Sequence, residues 1–219
     1  EIGSGLVGSE MCIRDSYMPV QRVCRPDHTF RGFQGQIESG EVKVGDEIVT
    51  LPSNERAHIK SILVGDKDSQ SAFMGQPVTL QLDKEVDVSR GCVIASGNNL
   101  PISKSFTATI LWMDDEELTP GTDYLVKLGT KQIPGILKNI QYKIDVNTGE
   151  FIPAGQLKKN EIAVCDLDLQ EPVVIDEFKK HKTLGELILI DRISNMTSAC
   201  GVVAVSYTHL RAHETGAYL

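Results

Sequence analysis

The chain has 219 residues, of which 41% are hydrophobic and 24% are charged, and its formal net charge is −8. This apolar content excludes an intrinsically disordered protein, and no apolar run is long enough to span a membrane. The net negative charge argues against binding of duplex DNA or bulk RNA, which requires a basic surface that displaces counterions. The five cysteines contain no C-x-x-C pair, which favours a reducing compartment, and we expect a cytoplasmic protein.

The two ends of the chain, residues 1–16 and 204–219, are unlike the rest of the sequence. Neither end continues the periodicity of its neighbours, and the two can be encoded by opposite strands of a single oligonucleotide. This relationship is typical of an adapter used to prepare sequencing libraries, so we expect both ends to be adapter-derived and exclude them from the fold. Without them, 26 acidic and 20 basic residues remain, which gives a net charge of −6.

Two short motifs fall inside these ends. Gly3, Gly5 and Gly8 match the G-x-G-x-x-G pattern of dinucleotide-binding loops, but no strand precedes the pattern and no helix follows it. His209 and His213 have the i, i+4 spacing of two metal ligands on one helix face. Because an adapter explains both motifs, we assign neither a nucleotide site nor a metal site to them.

The first block, residues 17–96, is predicted to be a small β-barrel. Its strands alternate apolar and polar residues, as in residues 77–83, where every second residue is a valine or a leucine. Glycines such as Gly35, Gly40 and Gly45 permit tight barrel corners and turns with positive φ. Turns at such short spacing favour a barrel over strands that are separated by helices.

Residues 97–102 read as a linker, and residues 103–203 form a second block that is also predicted to be a β-barrel. Along residues 105–113, every second residue is apolar, but Leu111 and Met113 are apolar residues on the otherwise polar side. We therefore expect this strand to be covered on both faces at its end. Residues 186–193 are apolar without alternation, which is typical of a central strand. No segment has a convincing amphipathic helix pattern, so the sequence predicts an all-β protein with two consecutive barrels.

Few residues of the two blocks suggest catalysis. The blocks lack a G-x-x-x-x-G-K-[ST] loop, so nothing in them is expected to hold a triphosphate. Asp166 and Asp168 share one face of a predicted strand and could form a pair for acid–base chemistry or metal binding. The polar face of a half-buried strand is the better interpretation of that spacing. We therefore expect no catalytic, cofactor-binding or metal-ligating residue in these blocks.

One stretch of the first block is specific enough to indicate a family. Residues 30–40, FRGFQGQIESG, continue as EVKVGDEIVTLPS and resemble the second domain of translation-factor-type GTPases. Residues 72–94 are similar to the closing half of the same barrel. One local departure is Cys92 after Gly91, a position where that superfamily commonly has an acidic residue.

Within this superfamily, the sequence most resembles the large, GTPase subunit of sulfate adenylyltransferase (ATP sulfurylase). The barrel entry at residues 17–40 looks like that of this subunit, and so do TILWMDDEELTPGTDYLVKLGT at 109–130, NIQYKIDVNTGE at 139–150 and LILIDRISNMT at 187–197. The resemblance covers essentially all of residues 17–203.

This resemblance implies a function for a longer protein. In that family, GTP hydrolysis is coupled to adenylyl transfer from ATP to sulfate, which yields adenosine 5′-phosphosulfate and pyrophosphate. GTP, Mg²⁺ and ATP are bound by the full complex, in which a small partner subunit transfers the adenylyl group and a GTPase domain precedes the two barrels. The present chain is expected to be the partner-docking and domain-coupling part, without a bound cofactor and inactive alone.

Two arginines of the first block are candidate interface residues. Arg31 and Arg90 are candidate contacts between the barrel rim and the GTPase domain, and a structural salt bridge is the alternative role for them.

One alternative function is an elongation-factor-type GTPase whose barrels bind tRNA, which requires a basic face. The longest basic clusters are Lys158-Lys159 and Lys179-Lys180-His181-Lys182. The other alternative is a free-standing β-barrel binding module. We expect neither nucleic acid nor membrane binding.

Overall fold

The computed structural model describes residues 16–26, 30–97 and 99–207. These residues form two six-stranded antiparallel barrels, one after the other, which confirms the predicted all-β fold with two consecutive barrels. Within the described residues, the helical structure is one short turn, Lys182–Gly185 (α1). No helix in this part of the chain combines the length and hydrophobicity needed to cross a membrane.

The first barrel is built from short strands. They are β1 (Tyr17–Cys24), β2 (Gly32–Gln36), β3 (Glu41–Lys43), β4 (Glu47–Leu51), β5 (Glu55–Val64), β6 (Lys67–Ser69), β7 (Ser71–Phe73), β8 (Pro77–Leu82) and β9 (Val93–Ala95). Six of them close a ring in the order β1-β2-β8-β5-β4-β9, because β9 pairs with β1. Strand β6 pairs with the end of β5 outside the ring, and β3 pairs with β7 in a separate two-stranded sheet.

Glycines make two different contributions to this barrel. Gly40 and Gly45 have φ of 67° and 94°, a left-handed conformation that glycine adopts without a steric penalty. Gly35 instead allows β1 and β2 to approach closely, because a Cβ at this position would lie 2.5 Å from the carbonyl oxygen of Pro19. The sequence pattern therefore reflects turn geometry at two positions and close strand packing at the third.

The second barrel has longer strands. They are β10 (Ile102–Trp112), β11 (Asp123–Leu128), β12 (Lys131–Ile144), β13 (Phe151–Ile152), β14 (Ile162–Val174), β15 (Glu186–Asp191) and β16 (Thr197–Tyr207). The ring runs β10-β14-β12-β11-β15-β16 and closes where β16 pairs with β10. The short strand β13 adds to the edge of β12 outside the ring.

Each barrel has its own buried core. Phe33 is one of the largest buried side chains in the first core, and Phe106 and Trp112 are among those of the second. Trp112 is the sole tryptophan of the chain, and its indole N–H donates a 2.7 Å hydrogen bond to the carbonyl oxygen of Glu116. Leu111 faces the opposite side of β10 and remains partly exposed.

Strand β9 ends at Ala95 and β10 begins at Ile102, so the segment between the barrels is short. Strand β16 continues beyond residue 203, because Val205 pairs with Thr107 on β10. Residues 1–15 and 208–219 lie outside the described residues, and with them the G-x-G-x-x-G motif and the histidines at 209 and 213. The adapter origin of the two ends stays a prediction.

Candidate domain-coupling interface

The two barrels meet through a small hydrophobic cluster. It combines residues from the ends of first-barrel strands, one residue of the connecting segment and two residues of the second barrel. The buried members are Tyr17, Val49, Leu51, Val93, Ala95, Leu100, Val174 and Leu184. Because both barrels bury side chains in the same cluster, a change in their relative orientation would expose apolar surface to water.

Tyr17 is the main polar link across this junction. Its hydroxyl lies 3.1 Å from Oγ1 of Thr183, close enough for a hydrogen bond, and its ring meets the His181 ring edge-on at 5.2 Å between centroids. Burial raises the pKa of Tyr17 above its ordinary value, so the hydroxyl stays protonated at neutral pH. The second barrel therefore holds both the polar tip and the ring of a first-barrel tyrosine.

His181 is itself held in place by a buried carboxylate. Its Nδ1 lies 2.9 Å from Oδ2 of Asp176, whose side chain is only 6% exposed. The other carboxylate oxygen of Asp176 accepts a hydrogen bond from the backbone N–H of Glu177. Asp176 thus fixes the segment that precedes α1, and this segment positions the aromatic contact with Tyr17.

Two glutamates bring like charges towards each other at the edge of the junction. Burial raises the pKa of Glu38, and the negative charge of Glu186 on the second barrel raises it further. Glu38 follows β2, and its backbone N–H donates a 2.9 Å hydrogen bond to the carbonyl oxygen of Tyr17. The rim of the junction beside Tyr17 therefore carries negative potential from both barrels.

Arg31 bonds within the first barrel. Its guanidinium forms an ion pair with Glu85 and donates to the carbonyl oxygens of Val86 and Val88 at 2.8 and 3.1 Å. It also stacks over the Phe33 ring, 5.0 Å from the centroid. These contacts tie the segment between β8 and β9 to the start of β2. The salt bridge was the alternative role for Arg31, and its contact with a GTPase domain stays a prediction.

The Arg31 side chain also lines a cleft of about 570 Å³ on the first barrel. The wall of this cleft includes Arg25, which shares the Glu85 carboxylate at 3.0 Å, and Lys60 and Lys84. The cleft is therefore an accessible, partly basic surface next to the Arg31 contacts.

Arg90 lies at the junction between the barrels. Its Nε donates a 3.3 Å hydrogen bond to the carbonyl oxygen of Thr130, at the turn between β11 and β12. The next residue, Gly91, packs tightly on Lys131, because a Cβ there would lie 2.6 Å from the lysine Cδ. The structure thus places Arg90 against the second barrel, and its proposed contact with a GTPase domain stays untested.

The remaining candidate residues have structural partners. The Asp166 carboxylate accepts 2.7 Å hydrogen bonds from Thr107 and Gln141, while Asp168 forms a 3.0 Å ion pair with Lys138. The described residues contain no group of three or more His, Cys, Asp or Glu side chains that could hold a metal ion. Asp166 and Asp168 are thus engaged separately, which fits the polar face of a strand.

Both lysine clusters of the sequence contain ion pairs with acidic residues. Lys158 and Lys159 lie 3.8 and 2.6 Å from Glu117 and Asp115, respectively. In the second cluster, Lys180 lies 3.0 Å from Glu177 and 4.0 Å from Asp176. These acidic partners reduce the positive potential that a nucleic-acid phosphate would encounter.

The second barrel matches a family model. Residues 105–204 match the model described as GTP-eEF1A C-terminal domain-like. Over these residues, the second barrel is similar to this family. This match begins at Ser105 within β10 and ends at Ala204 within β16, so it includes all or most of each of the six ring strands.

Two of three relatives that are similar over both barrels share one name. Sulfate adenylyltransferase subunit 1 of Teredinibacter turnerae is 41% identical over 197 residues, which is 90% of this chain and 42% of the relative. The protein with the same name from Francisella tularensis subsp. novicida is 42% identical over 186 residues. The bifunctional enzyme CysN/CysC of Rhodopirellula baltica is 41% identical, and 31% of its length is covered. The predicted resemblance to the large subunit of sulfate adenylyltransferase is therefore confirmed.

The chain spans about 42% of the length of the subunit 1 relatives that it matches.

Solved structures of a translation factor have the same fold. Sup35 complexed with GMPPNP superimposes with a TM-score of 0.81 at 22% identity, over 88% of this chain and 47% of Sup35. This likeness supports the two-barrel architecture alone.

Sequence reasoning missed the residues of the junction. Tyr17 and Thr183 are separated by 166 positions, and neither belongs to a motif that indicates a contact between domains. The signal that could have identified them is indirect: His181 and Asp176 lie in a segment without strand periodicity, between two apolar strands.

Proposed function

We propose that this chain is part of subunit 1 of a sulfate adenylyltransferase. The observation that supports this most is the identity of 39–42% across both barrels to relatives with this name. The whole enzyme would couple GTP hydrolysis to the reaction of ATP with sulfate, which gives adenosine 5′-phosphosulfate and pyrophosphate. The chain itself would supply neither the GTP site nor the adenylyl-transferring site, so it is inactive alone.

The role that we assign to the two barrels is mechanical. A GTPase domain outside this chain would bind GTP and Mg²⁺, and the small adenylyl-transferring subunit would bind ATP and sulfate. The junction around Tyr17 and Thr183 supports this role, because it combines apolar burial with directional bonds across two barrels. Two barrels that are held in this way can transmit the state of one domain to a partner as a rigid-body movement.

We also propose that the protein acts in the cytoplasm. Cys24, Cys92, Cys165 and Cys200 are all free thiols, as expected for a reducing compartment. Burial raises the pKa of the Cys165 thiol to about 12, so this residue serves the core and is not a nucleophile.

A tRNA-binding role receives less support. The lysine clusters at 158–159 and around Lys180 form ion pairs with carboxylates, and the chain is acidic overall. A tRNA-binding barrel would show an affinity that decreases steeply with salt, because each phosphate contact releases counterions. A salt titration with tRNA therefore separates this function from sulfate activation.

The experiment that tests the proposal is a binding measurement with two ligands. This chain is mixed at low salt with the small sulfate adenylyltransferase subunit of Teredinibacter turnerae and applied to a size-exclusion column. In parallel, GTP is titrated into the chain calorimetrically. We expect co-elution with the subunit and no GTP binding at micromolar concentrations. Separate elution at all concentrations tested, or micromolar GTP binding, would contradict the proposal.

A further inference from the structure

The outer surface of the second barrel carries an unusual group of apolar side chains. Residues that alternate with the core positions of β10, β11, β15 and β16 point outward and are partly exposed. We call them the outer apolar face, and its members are Leu111, Leu125, Ile188, Ile190, Cys200 and Val202. This face includes the leucine that breaks the polar side of β10 in the sequence.

The register of the strands places these residues side by side. Leu111 pairs with Cys200, Cys200 pairs with Ile188, and Ile188 pairs with Lys127, so one row crosses four adjacent strands. Leu125 lies opposite Ile190, two residues further along β15. Side chains directly opposite each other in an antiparallel ladder are about 5 Å apart at Cβ, so these residues form a continuous surface.

The opposite side of the same barrel is polar. There, Lys138 pairs with Asp168, and Gln141 donates a hydrogen bond to Asp166. An antiparallel sheet that faces water on its outer side normally carries polar residues there. The outer apolar face departs from this rule, whereas the outward side chains of Lys138 and Gln141 on β12 and of Asp166 and Asp168 on β14 follow it.

Part of the face forms a shallow groove that has charged groups at its edge. A groove of about 440 Å³ is lined by Ile188, Cys200 and Val202, with Lys127 and Glu186 beside them. Among the described residues, neither Lys127 nor Glu186 forms an ion pair within 4.0 Å, which distinguishes them from the paired lysines elsewhere on this barrel. A partner with an apolar centre can therefore gain burial and two charge contacts at once.

We propose that the outer apolar face is the docking surface for the small adenylyl-transferring subunit. This inference rests on the proposed function, since the name of the relatives, subunit 1, implies that their enzyme has a further subunit. The complementary surface has an apolar centre, an acidic side chain opposite Lys127 and a basic side chain opposite Glu186. We choose the small subunit over a second copy of this chain as the occupant, because the small subunit accounts for both the outer apolar face and the name of the relatives.

The position of the face links docking to the junction between the barrels. Gly129 lines the groove of the outer apolar face and also the narrow gap at the junction, where it lies beside Thr183. Glu186 directly follows α1 and raises the pKa of Glu38 on the first barrel. A subunit that docks here touches the segment that holds Tyr17, so it can respond to the orientation of the first barrel.

The test compares two lysine substitutions on opposite sides of the second barrel. Ile188→Lys places a charge in the centre of the outer apolar face, whereas Gln141→Lys adds the same charge on the polar side, where it can still donate to Asp166. The affinity of each variant of this chain for the Teredinibacter turnerae small subunit is measured by calorimetry. We expect at least tenfold weaker binding for Ile188→Lys and less than a twofold change for Gln141→Lys. Equal affinities for both variants would overturn the inference.

A second measurement on the unmodified chain covers the case in which Ile188→Lys does not fold. The alkylation rate of Cys200 is read by peptide mass spectrometry with and without the small subunit, and Cys24 on the first barrel is the internal control. We expect at least tenfold protection of Cys200 and none of Cys24. Protection of Cys200 that depends on the concentration of this chain alone would assign the face to a second copy and overturn the inference.

The two proposals fail in different ways. If the small subunit binds but leaves Cys200 fully reactive, the docking surface lies elsewhere and the proposed function stands. If the subunit does not bind the unmodified chain, the proposed function fails, and the inference fails with it.

Discussion

The two barrels reach the same closed six-stranded ring by different means. Ring strands of the first barrel are 3–10 residues long, and those of the second are 6–14 residues long. Shorter strands contribute fewer ladder hydrogen bonds, so the first barrel depends more on contacts outside its ladders. Arg31 supplies such contacts by tying the segment between β8 and β9 to β2. The comparison shows that two closed rings with the same number of strands need not have the same source of stability.

The largest predicted effect concerns the core of the second barrel. Trp112→Ala removes a side chain that is 2% exposed and leaves a cavity, so we expect a loss of about 3–5 kcal/mol in the free energy of unfolding. Urea unfolding followed by far-UV circular dichroism measures this loss. Tyr142→Ala, which removes a partly exposed aromatic residue of the same barrel, serves as the control and should cost about 1 kcal/mol. Similar losses for both variants would show that the core of this barrel is not tightly packed.

A smaller effect is expected at the Arg31 contacts of the first barrel. Arg31→Ala removes the bonds to Val86 and Val88 and the ion pair with Glu85, and we expect a loss of about 2–3 kcal/mol. Arg31→Lys keeps the charge but not the planar fork, so it should recover less than half of that stability. The measurement is urea unfolding of the three proteins, and full recovery with lysine would show that charge alone matters.

The hydrogen bond across the junction should contribute less. Tyr17→Phe removes the hydroxyl but keeps the ring against His181, and we expect a loss of about 0.5–1.5 kcal/mol. A double-mutant cycle with Thr183→Val isolates the coupling between the two side chains. If the two losses are simply additive, the hydroxyls do not stabilise the junction through each other.

The smallest effect is a difference in acid sensitivity between the barrels. Hydrogen bonds that the carboxylate accepts lower the pKa of Asp83 in the first barrel. In the second barrel, such bonds lower the pKa of Asp114, Asp145, Glu161 and Asp191. A carboxylate with a lowered pKa stabilises the fold above its unfolded pKa of about 4, and this contribution is lost as pH falls through the folded pKa. We therefore expect hydrogen exchange below about pH 4 to accelerate more in β14 than in β2. Equal acceleration in the two strands would contradict the conclusion that carboxylates with a lowered pKa stabilise the second barrel more than the first.

The architecture of the chain was predictable from the sequence because alternation is a local property. The inward set of β10, with Phe106 and Trp112, follows from a two-residue period, and Leu111 already indicated a second apolar face. The resemblance to a known subunit followed from the glycine and arginine motifs of the first barrel together with three stretches of the second, residues 109–130, 139–150 and 187–197. Local patterns were therefore sufficient to predict both the fold class and the family resemblance.

The junction could not be predicted in the same way. Tyr17 contacts His181 and Thr183 because the barrels pack together, and the contact depends on the orientation of two domains rather than on a local pattern. Arg90 illustrates the same limit, since its bond to Thr130 spans 40 positions. Long-range contacts of single side chains leave no periodic signal in one sequence.

The central claim, that the two barrels act as one coupled unit, is tested by the reactivity of two buried thiols. Cys92 lies in the core of the first barrel and Cys165 in that of the second. Pulsed alkylation at increasing urea, read by peptide mass spectrometry, reports the opening of each barrel separately. The account predicts that both thiols become reactive at the same urea concentration. Exposure of Cys92 at clearly lower urea than Cys165 would show that the barrels unfold independently and would contradict the claim.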